Sequence, residues 1–299
     1  MTNPLLWLLD LWSRRHVVRQ QGCAPVTTRP ATVITGASEG IGLAIARRFA
    51  KAGHVVVLVA RREALLQAAV DGIRQDFQAQ ALALACDINR VEAAAEIELA
   101  MGANGLHVDI LVNNAGFGLS GEFEAMPAAD LEALVSCNIA ALTRLSRHFL
   151  PAMIARGQGA LINIASLAGF APGPFQAAYY ASKAYVISLT RAIAYETSGT
   201  GVKVAVVTPG PVETGFHARM NAETSFYRYL VPAPSPENVA AATYRGLRWH
   251  QRVIVPGIAA KTLSVTMRIV PHFLVIPVVA WLLYPRHREA TKDGRHEAR

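Results

Sequence analysis

Ala31-Thr32-Val33-Ile34-Thr35-Gly36-Ala37-Ser38-Glu39-Gly40-Ile41-Gly42 is the stretch whose reading decides the fold. Ala31 to Thr35 is a short apolar run rich in β-branched residues, and it predicts a buried strand. Good helix formers follow from Leu43 to Ala52. Strand, glycine loop and helix in that order make a cradle for phosphate. The glycines permit a tight turn and close approach of the backbone, and the helix N-terminus favours an anion. The spacing G-x-x-x-G-x-G differs from the commoner G-x-G-x-x-G, so the strand and helix around it carry the inference. Gly36, Ser38, Glu39, Gly40, Ile41 and Gly42 are the candidate pyrophosphate-binding residues.

Working outward, Val55 to Val59 predicts a second strand ending in Ala60-Arg61-Arg62. NAD-selective sites carry a carboxylate at this point to bind the ribose hydroxyls. Here the position is Ala60, and Arg61 and Arg62 suit a 2′-phosphate, which favours NADP(H) and leaves NAD(H) as the alternative. Glu39 counts against this by charge, and the arginines also fit the start of the next solvated helix, Glu63 to Gln78. A third strand, Ala81 to Ala85, leads to Asp87 and Ile88; Asp87 is either an acceptor for an adenine amino group or a turn residue. Asp109 to Val112 delivers Asn113-Asn114-Ala115-Gly116 at a strand end, where ligands sit in open parallel sheets. Ala160 to Ile164 places Ser166 just beyond its end, and Val202 to Val207 runs into Thr208-Pro209-Gly210-Pro211-Val212-Glu213-Thr214. Strands alternating with helices predict an α/β fold: a doubly wound parallel sheet, Rossmann-like, three-layered, in one domain.

The chemistry concentrates at Tyr179-Tyr180-Ala181-Ser182-Lys183. These lie in a predicted helix from about Gln176 to Glu196, so Tyr179 and Lys183 share a face. A free tyrosine titrates near ~10, and a neighbouring ammonium is expected to bring its pKa toward the working range. Such a phenol can exchange a proton with an alcohol or carbonyl oxygen. A helix predicted over Leu131 to Ile154 contains Asn138 on an apolar face, either a satisfied core amide or a group ordering a water.

These pieces in this order resemble the short-chain dehydrogenase/reductase family over roughly residues 30 to 258. The likeness rests on Thr35 to Gly42, Asn113 to Gly116, Asn138, Ser166, Tyr179-x-x-x-Lys183 and Pro209-Gly210. It implies Tyr179 as general acid/base and Lys183 as the group that tunes it and binds the nicotinamide ribose. It further implies Ser166 on the substrate carbonyl and Asn138 in a proton relay. Asn114, Asp87, Ile88, Val212 and Thr214 match family cofactor contacts, with Ala115, Gly116, Pro209 and Gly210 beside them. The implied reaction is hydride transfer between a nicotinamide and a ketone or secondary alcohol. The rival from another class is a non-catalytic NADP(H) sensor or membrane-surface scaffold, which has no need of a tuned phenol.

The chain has 299 residues, is 52% hydrophobic and 17% charged, and has three scattered cysteines. That composition supports a large core and reduced thiols in the cytoplasm. The net charge of +8 falls partly on the ends, beside apolar stretches. No basic stripe with interleaved aromatics marks the central body, which argues against nucleic acid and for an anionic membrane surface. Three parts are expected: an apolar and basic extension over 1–29, a catalytic domain over 30–258, and an apolar then basic extension over 259–299. Pro4 to Trp12 reads as an interfacial helix or a packed one. The stretch between Glu213 and Pro236, with Phe216, Phe226, Tyr227 and Tyr229, corresponds by the resemblance to the family's variable substrate lid; its aromatics either point to a bulky apolar carbonyl or alcohol substrate or pack the lid against the domain. Ser235 and Pro236 predict a helix start, running to about Trp249, before a strand from Arg252 to Val255. Ile258 to Val270 and His272 to Tyr284 are apolar segments broken by Pro271 and interrupted by Pro277. They are too short to span a bilayer. Peripheral membrane contact at the inner surface and a homo-oligomer interface are the favoured readings, and a lid over the substrate mouth is the third.

Overall fold

The computed structural model describes residues 27–212, 220 and 233–284. Among them, β1 (Arg29–Thr35), β2 (Val55–Ala60), β3 (Ala81–Ala85), β4 (Leu106–Asn113), β5 (Gly159–Ile164), β6 (Val202–Val207) and β7 (Val253–Ile254) form one sheet. Its order is β3-β2-β1-β4-β5-β6-β7, and every pairing is parallel. The expected doubly wound α/β architecture is the one that forms. Val, Ile and Leu dominate the strands because both faces are covered. Alternation sends Val56 and Leu58 into one core and Val57 and Val59 into the other.

One core is closed by α1 (Gly40–Ala50), α2 (Glu63–Phe77) and α7 (Pro236–Arg248). Phe49 of α1 is fully buried and meets Tyr244 of α7 edge-on at 5.2 Å, with the Arg48 guanidinium 3.9 Å over the Tyr244 ring. The other core is closed by α3 (Ala93–Ala103), α5 (Leu142–Arg156) and α6 (Ala177–Glu196). The sequence reading had not foreseen α3, whose alanine-rich stretch carries little periodic signal.

The helix expected over Leu131 to Ile154 forms without a break in its helical backbone, but its hydrogen-bond pattern changes midway. It divides into α4 (Ala128–Val135) and α5, joined by a π-helical turn, Ser136–Ala141. Such widened turns often mark functional positions. Here the turn carries Asn138, whose amide is tied to the Phe117 backbone. The Ser235 hydroxyl accepts from the Asn238 N–H at 3.3 Å with Pro236 in the first turn, the predicted start of α7. The strand expected over Arg252 to Val255 shrinks to Val253–Ile254. Beyond it, α8 (Ile258–Ile269) and α9 (His272–Leu283) are separated by Val270 and Pro271, and α9 continues through Pro277. Val270 is extended, as a residue before proline prefers.

A polar seam crosses the buried centre of the sheet. Asn113 on β4 and Asn163 on β5 are register partners. Asn113 Nδ2 donates to Asn163 Oδ1 at 2.9 Å and to Ser146 Oγ at 3.0 Å, and Asn163 Nδ2 donates to Thr190 Oγ1 at 2.9 Å. This seam pins β4 and β5 to α5 and α6. Replacing Asn163 with Ala removes two buried hydrogen bonds and should cost about 2–3 kcal/mol in urea unfolding; a change below about 0.5 kcal/mol would show the seam to be incidental.

Candidate active site

The strand order reverses between β1 and β4, and a cleft of about 1310 Å³ opens at their C-terminal ends. Such switch points are where open α/β sheets bind ligands. Gly36, Ser38, Glu39, Gly40 and Ile41 line it, as do Arg61, Arg62, Asp87 and Ile88. So do Asn114, Ala115, Gly116, Ser166, Tyr179, Lys183, Pro209, Gly210 and Val212. Residues scattered over the sequence thus meet on one surface. Gly42 and Asn138 support this wall from behind, and Thr214 lies outside the described residues.

The glycine loop fits a pyrophosphate. Gly36 and Gly40 have φ of +64° and +59°, a backbone region that disfavours side chains. A Cβ on Gly42 would sit 2.4 Å from the Gly36 carbonyl and 2.5 Å from Asn114 Nδ2. The N-cap residue of α1, Glu39, makes no side-chain capping hydrogen bond, which leaves the first N–H groups of the helix to an anion. Glu39 forms an ion pair with Arg62, which offsets the carboxylate that counted against a 2′-phosphate. Arg61 is exposed and belongs to no ion pair among the described residues. Asp87 faces the cleft while its carboxylate accepts from the Asn89 N–H at 3.0 Å, so it is a turn residue and a cleft residue at once.

Asn113 and Asn114 divide their work. Asn113 turns into the seam, whereas Asn114 Nδ2 donates to the carbonyls of Thr35 and Gly36, both at 3.0 Å. Thr35 Oγ1 accepts from the Asn114 and Ala115 N–H groups at 3.0 and 3.1 Å.

Tyr179 and Lys183, one turn apart on α6, both face the cleft and are 9% and 6% exposed. The Lys183 ammonium donates to the Ile164 carbonyl at 3.2 Å and lies 5.7 Å from the Tyr179 ring centre. The Tyr179 hydroxyl shares a hydrogen bond with the Ser166 side chain. Ser166 Oγ also accepts from the Ala168 N–H at 3.2 Å, which fixes it at the start of a short 3-10 turn, Leu167–Phe170. Burial pushes the Tyr179 phenol up to about 12, and the Ser166 hydrogen bond opposes this only in part. The expected depression by Lys183 is not found: burial sets the direction of the phenol's shift, and burial also brings the Lys183 ammonium down to about 8. The isolated site therefore holds a protonated phenol at neutral pH.

Asn138 does not reach the cleft wall. Its Oδ1 accepts from the Phe117 N–H at 3.1 Å, and its Nδ2 donates to the Phe117 carbonyl at 2.8 Å and Ser182 Oγ at 3.1 Å. Ser182 Oγ in turn donates to the Tyr179 carbonyl at 2.7 Å. The side chain is thus a satisfied core amide that couples the loop after β4 to α6. Sequence reasoning had passed over Ser182, although a serine three residues after Tyr179 on the helix is placed to bond back along the turn.

The larger omission concerns the far end of the chain. Leu263 and Met267 of α8 and Val279, Leu282 and Leu283 of α9 line the same cleft. Tyr284 meets Phe175 edge-on at 5.4 Å, and Arg268 lies 4.2 Å over the Phe170 ring. The lid reading of this segment, which ranked third, describes its inner face. Met220 packs against Leu134, Ala168 and Tyr179. Phe216, Phe226, Tyr227 and Tyr229, the aromatics of the predicted lid, lie outside the described residues, as does Pro4 to Trp12.

A titration follows from Lys183. Burial disfavours its charged form, so the folded chain binds this proton less tightly than the unfolded chain, whose lysine has an ordinary value of 10.5. The penalty is full below the folded value near 8 and is relieved as pH rises through the window up to 10.5. Between about pH 7.5 and 9.5 the parent should gain stability relative to Lys183→Met in urea unfolding. A constant difference across that range would remove the buried ammonium from the account.

The description "short chain dehydrogenase" belongs to the family model that matches residues 30–225. The ketoacyl reductase HetN of Nostoc sp. is 35% identical over 225 residues, covering 74% of this chain and 76% of that protein. The short-chain dehydrogenase from Sphingobium yanoikuyae, solved in complex with NADPH, superposes with a TM-score of 0.71 at 33% identity, covering 79% of this chain and 91% of the other. The bulky-bulky ketone specific alcohol dehydrogenase from Comamonas testosteroni superposes with a TM-score of 0.67 at 28% identity, covering 82% and 96%. With its glycine cradle at the sheet reversal and its serine, buried tyrosine and buried lysine on the same cleft, the chain belongs to the short-chain dehydrogenase/reductase family of oxidoreductases.

Proposed function

We propose that the protein is an NADP(H)-dependent carbonyl reductase that interconverts a ketone and a secondary alcohol on a bulky apolar substrate. One observation carries this: Ser166, Tyr179 and Lys183 share a cleft with a glycine loop shaped for pyrophosphate. We assign catalysis to residues 30–258, with extensions over 1–29 and 259–299, and place the protein in the cytoplasm, peripheral to a membrane.

Gly36 to Gly42 and the N-terminus of α1 would hold the pyrophosphate, Arg61 the 2′-phosphate, Asp87 and Ile88 the adenine, and Lys183 the nicotinamide ribose. Asn114 fixes the glycine loop beside them, Pro209, Gly210 and Val212 would border the nicotinamide end, and Thr214 is assigned to that contact on the family resemblance alone. When bound, the cofactor supplies the hydride, and the protein supplies orientation and proton handling. Ser166 donates a hydrogen bond to the substrate oxygen and holds it beside Tyr179. The protonated phenol then gives that oxygen its proton as negative charge develops there. Lys183 lies close enough to stabilise the phenolate left behind. Asn138 is a positioning residue that acts through Ser182 and the Tyr179 carbonyl. A phenol that starts protonated favours reduction over oxidation at neutral pH. The apolar side chains of α8 and α9 on the cleft wall support an apolar substrate, as does the likeness to an enzyme specific for bulky ketones.

Tyr179→Phe should lower kcat by roughly 10³-fold and leave the NADPH Kd, read by fluorescence titration, within about twofold. Turnover at the parent rate would refute the mechanism. Arg61→Ala should raise the KM for NADPH by roughly 10- to 100-fold, the loss of a charge-assisted pair, while moving that for NADH by less than about twofold. Equal effects on both cofactors would show that Arg61 does not read the 2′-phosphate.

A further inference from the structure

Helix α9 is apolar on every side. Val279 and Leu283 are buried and face the cleft, whereas Phe273, Leu274 and Val278 on the outer side are 73%, 54% and 57% exposed. Helix α8 repeats the arrangement, with Ala260 and Ser264 buried and Ile258 and Ile269 exposed by 84% and 75%. A lid facing water would carry a polar outer surface. Instead, eight of the sixteen exposed large apolar side chains among the described residues fall between Ile258 and Tyr284. That concentration on one segment marks an interaction surface rather than scattered exposure.

Charge identifies the occupant. Between Glu237 and Glu289 the sequence contains no aspartate or glutamate, yet it holds Arg245, Arg248, Arg252, Lys261, Arg268, Arg286 and Arg288. Among the described residues, the ion pairs all lie elsewhere. On α8 and α9 themselves the charged residues are Lys261 and Arg268, with no aspartate or glutamate, so a second copy covering this face symmetrically would set cation against cation with no carboxylate from these helices to offset them. An anionic leaflet accepts both features: the apolar side chains enter the headgroup boundary and the cations remain among the phosphates. Each helix has 12 residues and is about 18 Å long, short of the ~30 Å hydrocarbon core. Among the described residues no helix is long and apolar enough to cross a membrane, so the pair lies along the surface.

We propose that the outer face of α8 and α9 docks on an anionic phospholipid bilayer. The inner face of the same helices lines the cleft, so docking sets the apolar cleft wall about one helix diameter, ~10 Å, from the leaflet. An apolar substrate dissolved in the membrane then reaches the site with little exposure to water. The docking itself does not depend on the reaction assigned above.

The test is flotation of the full-length protein with vesicles of phosphatidylcholine alone or with about 30% phosphatidylglycerol, at low salt and at roughly 0.5 M NaCl. The parent should partition at least about tenfold more strongly onto the anionic vesicles and lose most of that at high salt. The double variant Phe273→Gln/Val278→Gln should lose about tenfold in partition while keeping the parent's Tm and NADPH affinity. It also separates this surface from Pro4 to Trp12, which the variant leaves intact. Absence of capture, equal capture by both vesicle types, or capture unchanged in the variant would overturn the proposal. So would sedimentation equilibrium showing a parent oligomer that the variant dissolves, which would give the face to a second copy.

Discussion

The site depends on a clamp across the reversal of the sheet. Thr35 ends β1 and Asn114 follows β4, two strands made neighbours by the order β2-β1-β4-β5. The Thr35 hydroxyl receives two backbone N–H groups from the far side, and the Asn114 amide returns two hydrogen bonds to the Thr35 and Gly36 carbonyls. These bonds hold the glycine loop open in a shape that a side chain at Gly36 or Gly42 would destroy. Every other part of the cleft is arranged around that opening.

Burial has opposite effects on the two ionisable groups that face it. It protects the phenol of Tyr179 from losing its proton and weakens the hold of Lys183 on its own. Neither group is placed cheaply, since desolvated charge is costly. They are retained by a dense local scaffold: Ser166 on the 3-10 turn, the Ile164 carbonyl under Lys183, and Asn138 with Ser182 behind Tyr179. The π-helical turn that carries Asn138 belongs to the same scaffold, because it brings the amide against the Phe117 backbone.

The C-terminal helices give the cleft an apolar side. They lie beyond the region matched by the family model, which ends at residue 225. Their cleft-facing residues and their exposed ones alternate around short helices, so cleft wall and outer surface are inseparable parts of one element.

The sequence by itself determined the sheet, the glycine cradle and the pairing of Tyr179 with Lys183. Each of these is local: strand runs, glycine spacing and a four-residue helical interval are properties of neighbouring residues. The pairing of Glu39 with Arg62, the division of labour between Asn113 and Asn114, and the placing of Leu263, Met267 and Val279 on the cleft were decided only by tertiary structure. So was the dominance of burial over the Ser166 hydrogen bond in setting the phenol's proton affinity. These involve groups far apart in the chain or the extent of their exclusion from water, and neither quantity is written in the spacing of residues.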